Sequence, residues 1–209
     1  MSVWAVLPVK PLDRGKSRLA NFIAPEERKR LNVQLFYQSL QVLRGLEDVQ
    51  KVWVVSTDEE VLALARKWKA NAFREHGKVG LNEALEQITE YAKEQNVCRL
   101  LILPVDLPFV QAKDVTRLLE TTLQTPFAVI SPDRNRTGTN ALLVCPPGAL
   151  QYCFGEKSFD KHCNQANEKG LPLFIVDLPS LQFDLDNPED YLEYRKMFTL
   201  SIDGTSLLG

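Results

Sequence analysis

Histidine is scarce in this chain, with 2 among 209 residues (His76 and His162), and the 4 cysteines form no C-x-x-C pair. The usual zinc patterns are thereby excluded. The grouping of Cys153, His162 and Cys163 fits none of them, so reduced structural cysteines are expected. No apolar run reaches the roughly 18 residues that a membrane helix needs. The opening Met1-Ser2-Val3-Trp4-Ala5-Val6 lacks the basic segment of a secretory signal and reads as a strand. A cytoplasmic protein with no membrane partner is expected. A basic surplus is missing too: 25 basic and 27 acidic residues leave a net charge of −2, which argues against a nucleic-acid partner. Two phosphate-binding signatures are also absent. There is no G-x-x-x-x-G-K-[ST], and the loop after the first strand offers only Gly15 where a dinucleotide fingerprint needs three glycines.

What is present is ordinary globular composition, 44% hydrophobic and 25% charged, in a length that suits one domain. We place that domain at residues 1–198 and read residues 199–209 as a loose polar tail. Apolar runs at Val3–Leu7, Val49–Val55, Ala72–Arg74, Leu100–Leu103, Phe127–Ile130, Ala141–Val144 and Leu173–Val176 predict strands. Helices are predicted from Pro25, from Thr57, over Leu81–Ala92, over Val115–Leu123, over Ser158–Lys169 and from Asn187-Pro188, where Asn187 caps and Pro188 takes the first helical position. This alternation predicts an α/β fold: an open, mostly parallel sheet with helices on both faces. Ligands of such sheets bind at the carboxyl ends of the strands. That rule gathers four loops: Pro8–Arg18, Glu75–Asn82, Pro104–Pro108 and Ser131–Asn140.

These loops hold the residues suited to phosphate chemistry. Lys10, Arg14, Lys16 and Arg18 crowd the first loop, with Asp13 the one acid among them. A local basic stretch in a mildly acidic chain suggests a pocket for a triphosphate and for the charge of a leaving pyrophosphate; a solvated basic loop is the plain alternative. Asp106, in Pro104-Val105-Asp106-Leu107-Pro108, follows the most apolar strand, where a metal-bound phosphate would lie. Asp184 and Asp186 are two apart and point the same way on an extended chain, so with Asp106 they form a candidate cage for Mg2+. Asp190, at the third helical position, reads as a capping acid. Gly80 and Asn82 open a helix and are candidates for reading a nucleobase edge, or simply a glycine turn with an Asn cap. Thr139, Gly155 and Ser158 offer hydroxyls and close backbone approach to a small anion, although Ser158 and Gly155 also read as a cap and a turn.

Together these segments resemble a family. Pro8-x-Lys10, Lys16-Ser17-Arg18-Leu19, Gly80-Leu81-Asn82, Pro104-x-Asp106-Leu107-Pro108, Pro132-Asp133-Arg134, Thr137-Gly138-Thr139-Asn140-Ala141-Leu142, Phe154-Gly155-x-x-Ser158-Phe159 and Asp184-x-Asp186-x-Pro188-Glu189-Asp190 are similar to the guanylyltransferases of coenzyme F420 biosynthesis. The resemblance runs from Val3 to Tyr191. It implies a GT-A-like, Rossmann-like nucleotidyltransferase that joins GMP from GTP to a phosphorylated three-carbon acid and releases pyrophosphate. The acid would be phosphoenolpyruvate, 2-phospho-L-lactate or 3-phosphoglycerate, and the product would pass to the downstream transferase of the pathway, a further partner. It implies GTP over Lys10, Arg14, Lys16, Gly80 and Asn82. Asp106, Asp184 and Asp186 would hold Mg2+, with Lys16 and Asp106 catalytic, and Thr139, Gly155 and Ser158 would bind the acid. Many relatives in the wider fold carry a glycine-rich first loop; here the cations must do more of that work. The alternatives are a metal-dependent glycosyltransferase using a nucleotide sugar, and a non-catalytic GTP-binding domain.

Overall fold

The computed structural model describes residues 2–77, 80–121 and 124–202, with side chains to Met197. Seven strands form one sheet: β1 Val3–Pro8, β2 Val49–Ser56, β3 Asn71–Arg74, β4 Arg99–Ile102, β5 Phe127–Pro132, β6 Thr139–Cys145 and β7 Leu173–Ile175. Their order across the sheet is β3-β2-β1-β4-β6-β5-β7. The pairings of β1 with β2 and β4, of β2 with β3 and of β5 with β7 are parallel; only β6 runs against its neighbours. The sheet is thus mostly parallel, as the alternation predicts. Because β6 is reversed, its first residue, Thr139, lies at the same end of the sheet as the carboxyl ends of β4 and β5.

Side-chain period explains the layering. In β1, Val3, Ala5 and Leu7 enter one core, while Trp4 and Val6 enter the other. The same split continues across the sheet: Val52, Val54, Leu101, Val129 and Leu143 face one way, Trp53, Val55, Ile102, Ile130 and Leu142 the other. Helices α1 (Pro25–Arg44), α2 (Glu59–Lys67), α4 (Ala112–Leu119) and α6 (Pro179–Gln182) cover the first face. Helices α3 (Leu81–Glu94) and α5 (Ser158–Glu168) cover the second. The central strands β1, β4, β5 and β6 are buried on both sides, which is why their runs read as continuously apolar, while the edge strands β3 and β7 are only partly covered. Among the described residues no helix is long and apolar enough to cross a membrane.

Element ends differ from expectation in instructive ways. Asp58, not Thr57, caps α2, its carboxylate accepting the Glu60 amide at 2.8 Å. Helix α4 begins at Ala112, three residues before Val115; its expected end, Leu123, lies outside the described residues. A 3-10 turn at Ser17–Leu19 and the short α6 were not expected. The last helix, α7 (Pro188–Ile202), continues past Phe198, and residues 203–209 lie outside those described. Its start is as predicted. Asp190 accepts the amides of Asp186 and Asn187 at 3.0 and 3.1 Å while Asn187 accepts that of Asp190 at 3.0 Å.

A third apolar cluster does the positioning. Leu19 and Ile23 from the first loop, Leu31 and Leu35 from α1, and Phe183, Leu185, Tyr191 and Tyr194 from the chain's end pack together. This cluster brings residues some 170 positions apart in sequence to one rim of the sheet.

Candidate active site

A cleft of about 440 Å³ opens at the carboxyl ends of β1, β2, β3 and β4. Lys10, Arg14, Gly15, Lys16, Glu75, Gly80, Asp106 and Asp186 are among its lining residues. Three of the four expected loops, Pro8–Arg18, Glu75–Asn82 and Pro104–Pro108, therefore meet there together with Asp186, whereas no residue of Ser131–Asn140 lines the cleft.

The first loop owes its shape to α1. Asn32 Nδ2 donates to the Leu12 carbonyl at 2.7 Å, and Arg28 donates to that of Asp13 at 3.0 Å. A Cβ on Gly15 would sit 2.7 Å from Asn32 Nδ2, so this anchoring contact needs glycine. The next residue, Lys16, takes a left-handed backbone, φ 56° and ψ 44°. For a lysine that costs roughly 1–2 kcal/mol, and such strain concentrates at working sites. The turn buries the lysine side chain and directs Nζ to within 3.7 Å of Asp186. Lys10 and Arg14 are exposed along the same rim, and Arg18 Nη1 reaches Asp186 at 3.8 Å from a largely exposed position.

Asp184 and Asp186 do share one face. Phe183 and Leu185 between and before them are buried in the third cluster, and the two aspartates point away from it, half-buried. The Leu185 amide donates to the Asp106 carbonyl at 2.9 Å, which stitches this segment to the end of β4. The three acids act on one another's charge. Burial, then the charges of Asp106 and Asp186, push the Asp184 carboxyl up to about 6. Burial and Asp106 also push Asp186 up, against the pull of Lys16 and Arg18. Among the described residues no three His, Cys, Asp or Glu side chains are already gathered as a ligand cluster. Unbalanced carboxylates repel one another, and a set of oxygen donors that raise each other's proton affinity suits a hard divalent cation. Asp106, Asp184 and Asp186 offer oxygen donors of the kind such an ion takes, though they are not drawn together as a ligand set.

The remaining candidates, Thr139, Gly155 and Ser158, are not among the residues that line this cleft. Thr139 and Ser158 are buried and Gly155 is exposed. Gly155 has φ 116°, a conformation that disfavours any side chain, and space alone would admit one. Lys157, also left-handed at φ 53°, caps α5, so Ser158 is the first helical residue and not the cap. The Phe159 amide donates to the Thr137 carbonyl at 3.2 Å, tying the start of α5 to the loop before β6. The arginines of that loop serve structure: Arg134 pairs with Asp190 and with Glu193 (2.9 Å), and Arg136 with Asp177 (2.6 Å).

Asn82 is used otherwise than as a reader of base edges. Its Oδ1 accepts the Phe154 amide at 2.8 Å and its Nδ2 donates to the Phe154 carbonyl at 3.2 Å. Both ends of the amide thus hold the segment that carries Gly155. A residue 72 positions away is not recoverable as a partner from local sequence. Two further residues were missed. Glu75, just after β3, is among the described residues the one acid lining the cleft apart from Asp106 and Asp186; burial pushes its carboxyl up, against the nearby Gly80 and Thr57 amides. The signal was its place in a strand-end loop. His162 lies under Thr139, and its only trace in sequence is its position one helical turn after Ser158.

A mostly parallel sheet with a cation-rimmed cleft of about 440 Å³ at its strand ends suits the nucleotidyltransferase class. Solved structures share the fold: a Desulfovibrio desulfuricans protein provisionally described as a nucleotide-diphospho-sugar transferase (TM-score 0.76, 17% identity, 99% of this chain and 92% of that one). A cytidylyltransferase from Leptospira borgpetersenii also matches, with TM-score 0.62, 15% identity and the full length of both chains. Within the class, residues 3–198 match the family model described as "Guanylyl transferase CofC like", and the chain belongs to that family. Phosphoenolpyruvate guanylyltransferase of Rubrobacter xylanophilus is 45% identical over 91% of this chain and 92% of the relative. 2-Phospho-L-lactate guanylyltransferase of Methanocaldococcus jannaschii is 32% identical over 88% and 79%.

Proposed function

We propose that this chain joins GMP from GTP to a phosphorylated three-carbon acid, phosphoenolpyruvate or 2-phospho-L-lactate, and releases pyrophosphate. The observation that carries the reading is the convergence of Lys10, Arg14, Lys16, Gly80, Asp106 and Asp186 on one cleft, in a chain whose relatives bear these guanylyltransferase names. An oxygen of the acid's own phosphate attacks the α-phosphorus of GTP. The bond from that phosphorus to the oxygen bridging to the β-phosphate breaks, and pyrophosphate leaves with its electron pair. No side-chain nucleophile or general base is needed, because the attacking oxygen is already an anion.

The obstacle is the approach of two anions, so the protein's task is charge and alignment. Lys10 and Arg14 on the rim hold the triphosphate. Lys16, buried and fixed by its turn, sits where charge builds on the departing pyrophosphate. Asp106, Asp184 and Asp186 are the residues that would hold Mg2+, which when bound offsets phosphate charge and orients the reacting oxygens. Glu75 and the Gly80 backbone lie at the β3 end of the cleft, three strand spacings or about 14 Å from Asp106. That is the scale of a nucleotide stretched from phosphates to base. Thr139 at the start of β6 and Gly155 and Ser158 at the start of α5 receive the acid. GTP and such acids are cytoplasmic metabolites, so the reaction belongs in the cytoplasm. Its activated product suits the downstream transferase of coenzyme F420 assembly.

The test is purified protein with GTP and MgCl2 and each of phosphoenolpyruvate, 2-phospho-L-lactate and 3-phosphoglycerate. Product mass and pyrophosphate release are measured. A guanylylated acid is expected from at least one, and Asp106→Ala abolishes it. No product from any acid, or transfer from a nucleotide-sugar panel instead, overturns the reading.

A further inference from the structure

We propose that His162 is a positioning residue, which fixes the Thr139 hydroxyl as a hydrogen-bond donor to the anionic acid substrate. The inference rests on the functional reading above for the identity of the anion; the hydrogen-bond chain itself does not.

The chain of logic starts at a backbone amide. The Cys153 N–H lies 3.0 Å from His162 Nε2, and an amide of this kind only donates. Nε2 therefore carries a lone pair and no proton. The imidazole is wholly buried, and burial together with the charge of Lys161 holds it neutral, with its pKa lowered to about 4. A neutral ring with a bare Nε2 has its proton on Nδ1. Nδ1 lies 3.0 Å from Thr139 Oγ1 and so donates to it. The hydroxyl's acceptor side is thereby occupied, and its own hydrogen must point elsewhere. Among the described residues no other side-chain acceptor or backbone carbonyl is found taking it.

The surroundings supply a purpose for that hydrogen. Thr139 opens β6 and is buried at the ligand end of the sheet. Ser158 and His162 sit one turn apart on the same face of α5, so the helix N-terminus, with its inward amides, lies beside the hydroxyl. An anion placed there meets a donor whose direction is already set, with no rotor to freeze on binding. The ring is itself held by the edge of Phe154, centroids 5.2 Å apart, and Phe154 is pinned by Asn82. Had the ring been flipped or protonated, Thr139 would have presented a lone pair or faced a charge instead. A neutral, fixed histidine avoids both.

The experiment has two arms. In the unaltered protein, a long-range 1H–15N spectrum at pH 7 is expected to show the His162 proton on Nδ1; a proton on Nε2 overturns the proposal. This arm holds even if variants fail to fold. In the kinetic arm, His162→Gln keeps an acceptor for the Cys153 amide and loses the donor to Thr139. It is expected to raise KM for the acid about tenfold, with KM for GTP within about twofold. His162→Asn, whose amide nitrogen takes the Nδ1 position, is expected to recover most of that loss. In a Thr139→Val background, His162→Gln is expected to add nothing further to KM for the acid. Equal rises in both KM values, or full additivity with Thr139→Val, overturns the proposal. Absence of GTP turnover with every acid would sink the functional reading instead, and the ring tautomer would still decide the hydrogen-bond chain.

Discussion

Lys16 Nζ stands 3.7 Å from Asp186 Oδ1, its side chain 7% exposed and its backbone left-handed, so a strained turn holds a buried cation of the cleft against that acid. The pair gives the first prediction. Lys16→Met removes a cation opposite the leaving group and is expected to lower kcat by about a hundredfold or more. Because Lys16 holds Asp186 down, its loss lets that carboxyl rise further. The acid limb of the residual activity is expected to move to higher pH. Pyrophosphate release measured from pH 5 to 9 checks both effects, and an unmoved limb would separate Lys16 from Asp186.

Asp184 illustrates function opposed to stability. Its folded pKa of about 6 lies above the ordinary 3.8. The folded state therefore binds more protons between these values, and stability falls as pH rises through the window, remaining low above it. Asp184→Asn is expected to stabilise the metal-free protein at pH 7 by on the order of 1 kcal/mol, after discounting for partial exposure. The gain should vanish near pH 4, while activity is lost throughout. Melting curves of the two proteins at pH 4 and pH 7, with chelator present, are the measurement.

His162 has the opposite sign. Its folded pKa of about 4 lies below the ordinary 6.5. The stability tied to its neutral form is complete above about 6.5 and is lost as pH falls toward 4, in total on the order of 3 kcal/mol. His162→Asn should lack this component. The difference in denaturant midpoint between unaltered and variant protein is expected to shrink steadily as pH falls from 7 to 4.

Asn82→Ala leaves the Phe154 amide and carbonyl without their partner. A cost of about 1–3 kcal/mol in stability is expected. The kinetic effect should fall on KM for the acid, because the segment it holds leads to Gly155 and His162, and only weakly on KM for GTP. A selective rise in KM for GTP would restore Asn82 to the nucleotide.

The strand-end loops and the acids were legible because both rest on local rules. Continuous apolar runs announced the strands, and Asn187-Pro188 with Asp190 announced the last helix down to its reciprocal cap. The spacing of Asp184 and Asp186 is enough to put them on one face of an extended segment. The reversed β6 was not legible, because a short apolar run carries no direction. The same holds for Asn82, which reads as a cap and serves as a clamp, and for His162, set aside with two cysteines as structural.

Sequence alone determined the alternating elements, the double-sided burial of the central strands and the chemical character of each loop, since these follow from side-chain period and residue type. Tertiary structure alone decided which loops face one another. It turned β6 round to bring Thr139 to the ligand end and used the Leu19–Phe183–Tyr194 cluster to carry the chain's last acids to its first lysines. Such meetings depend on packing between distant segments, and no local pattern encodes the partner.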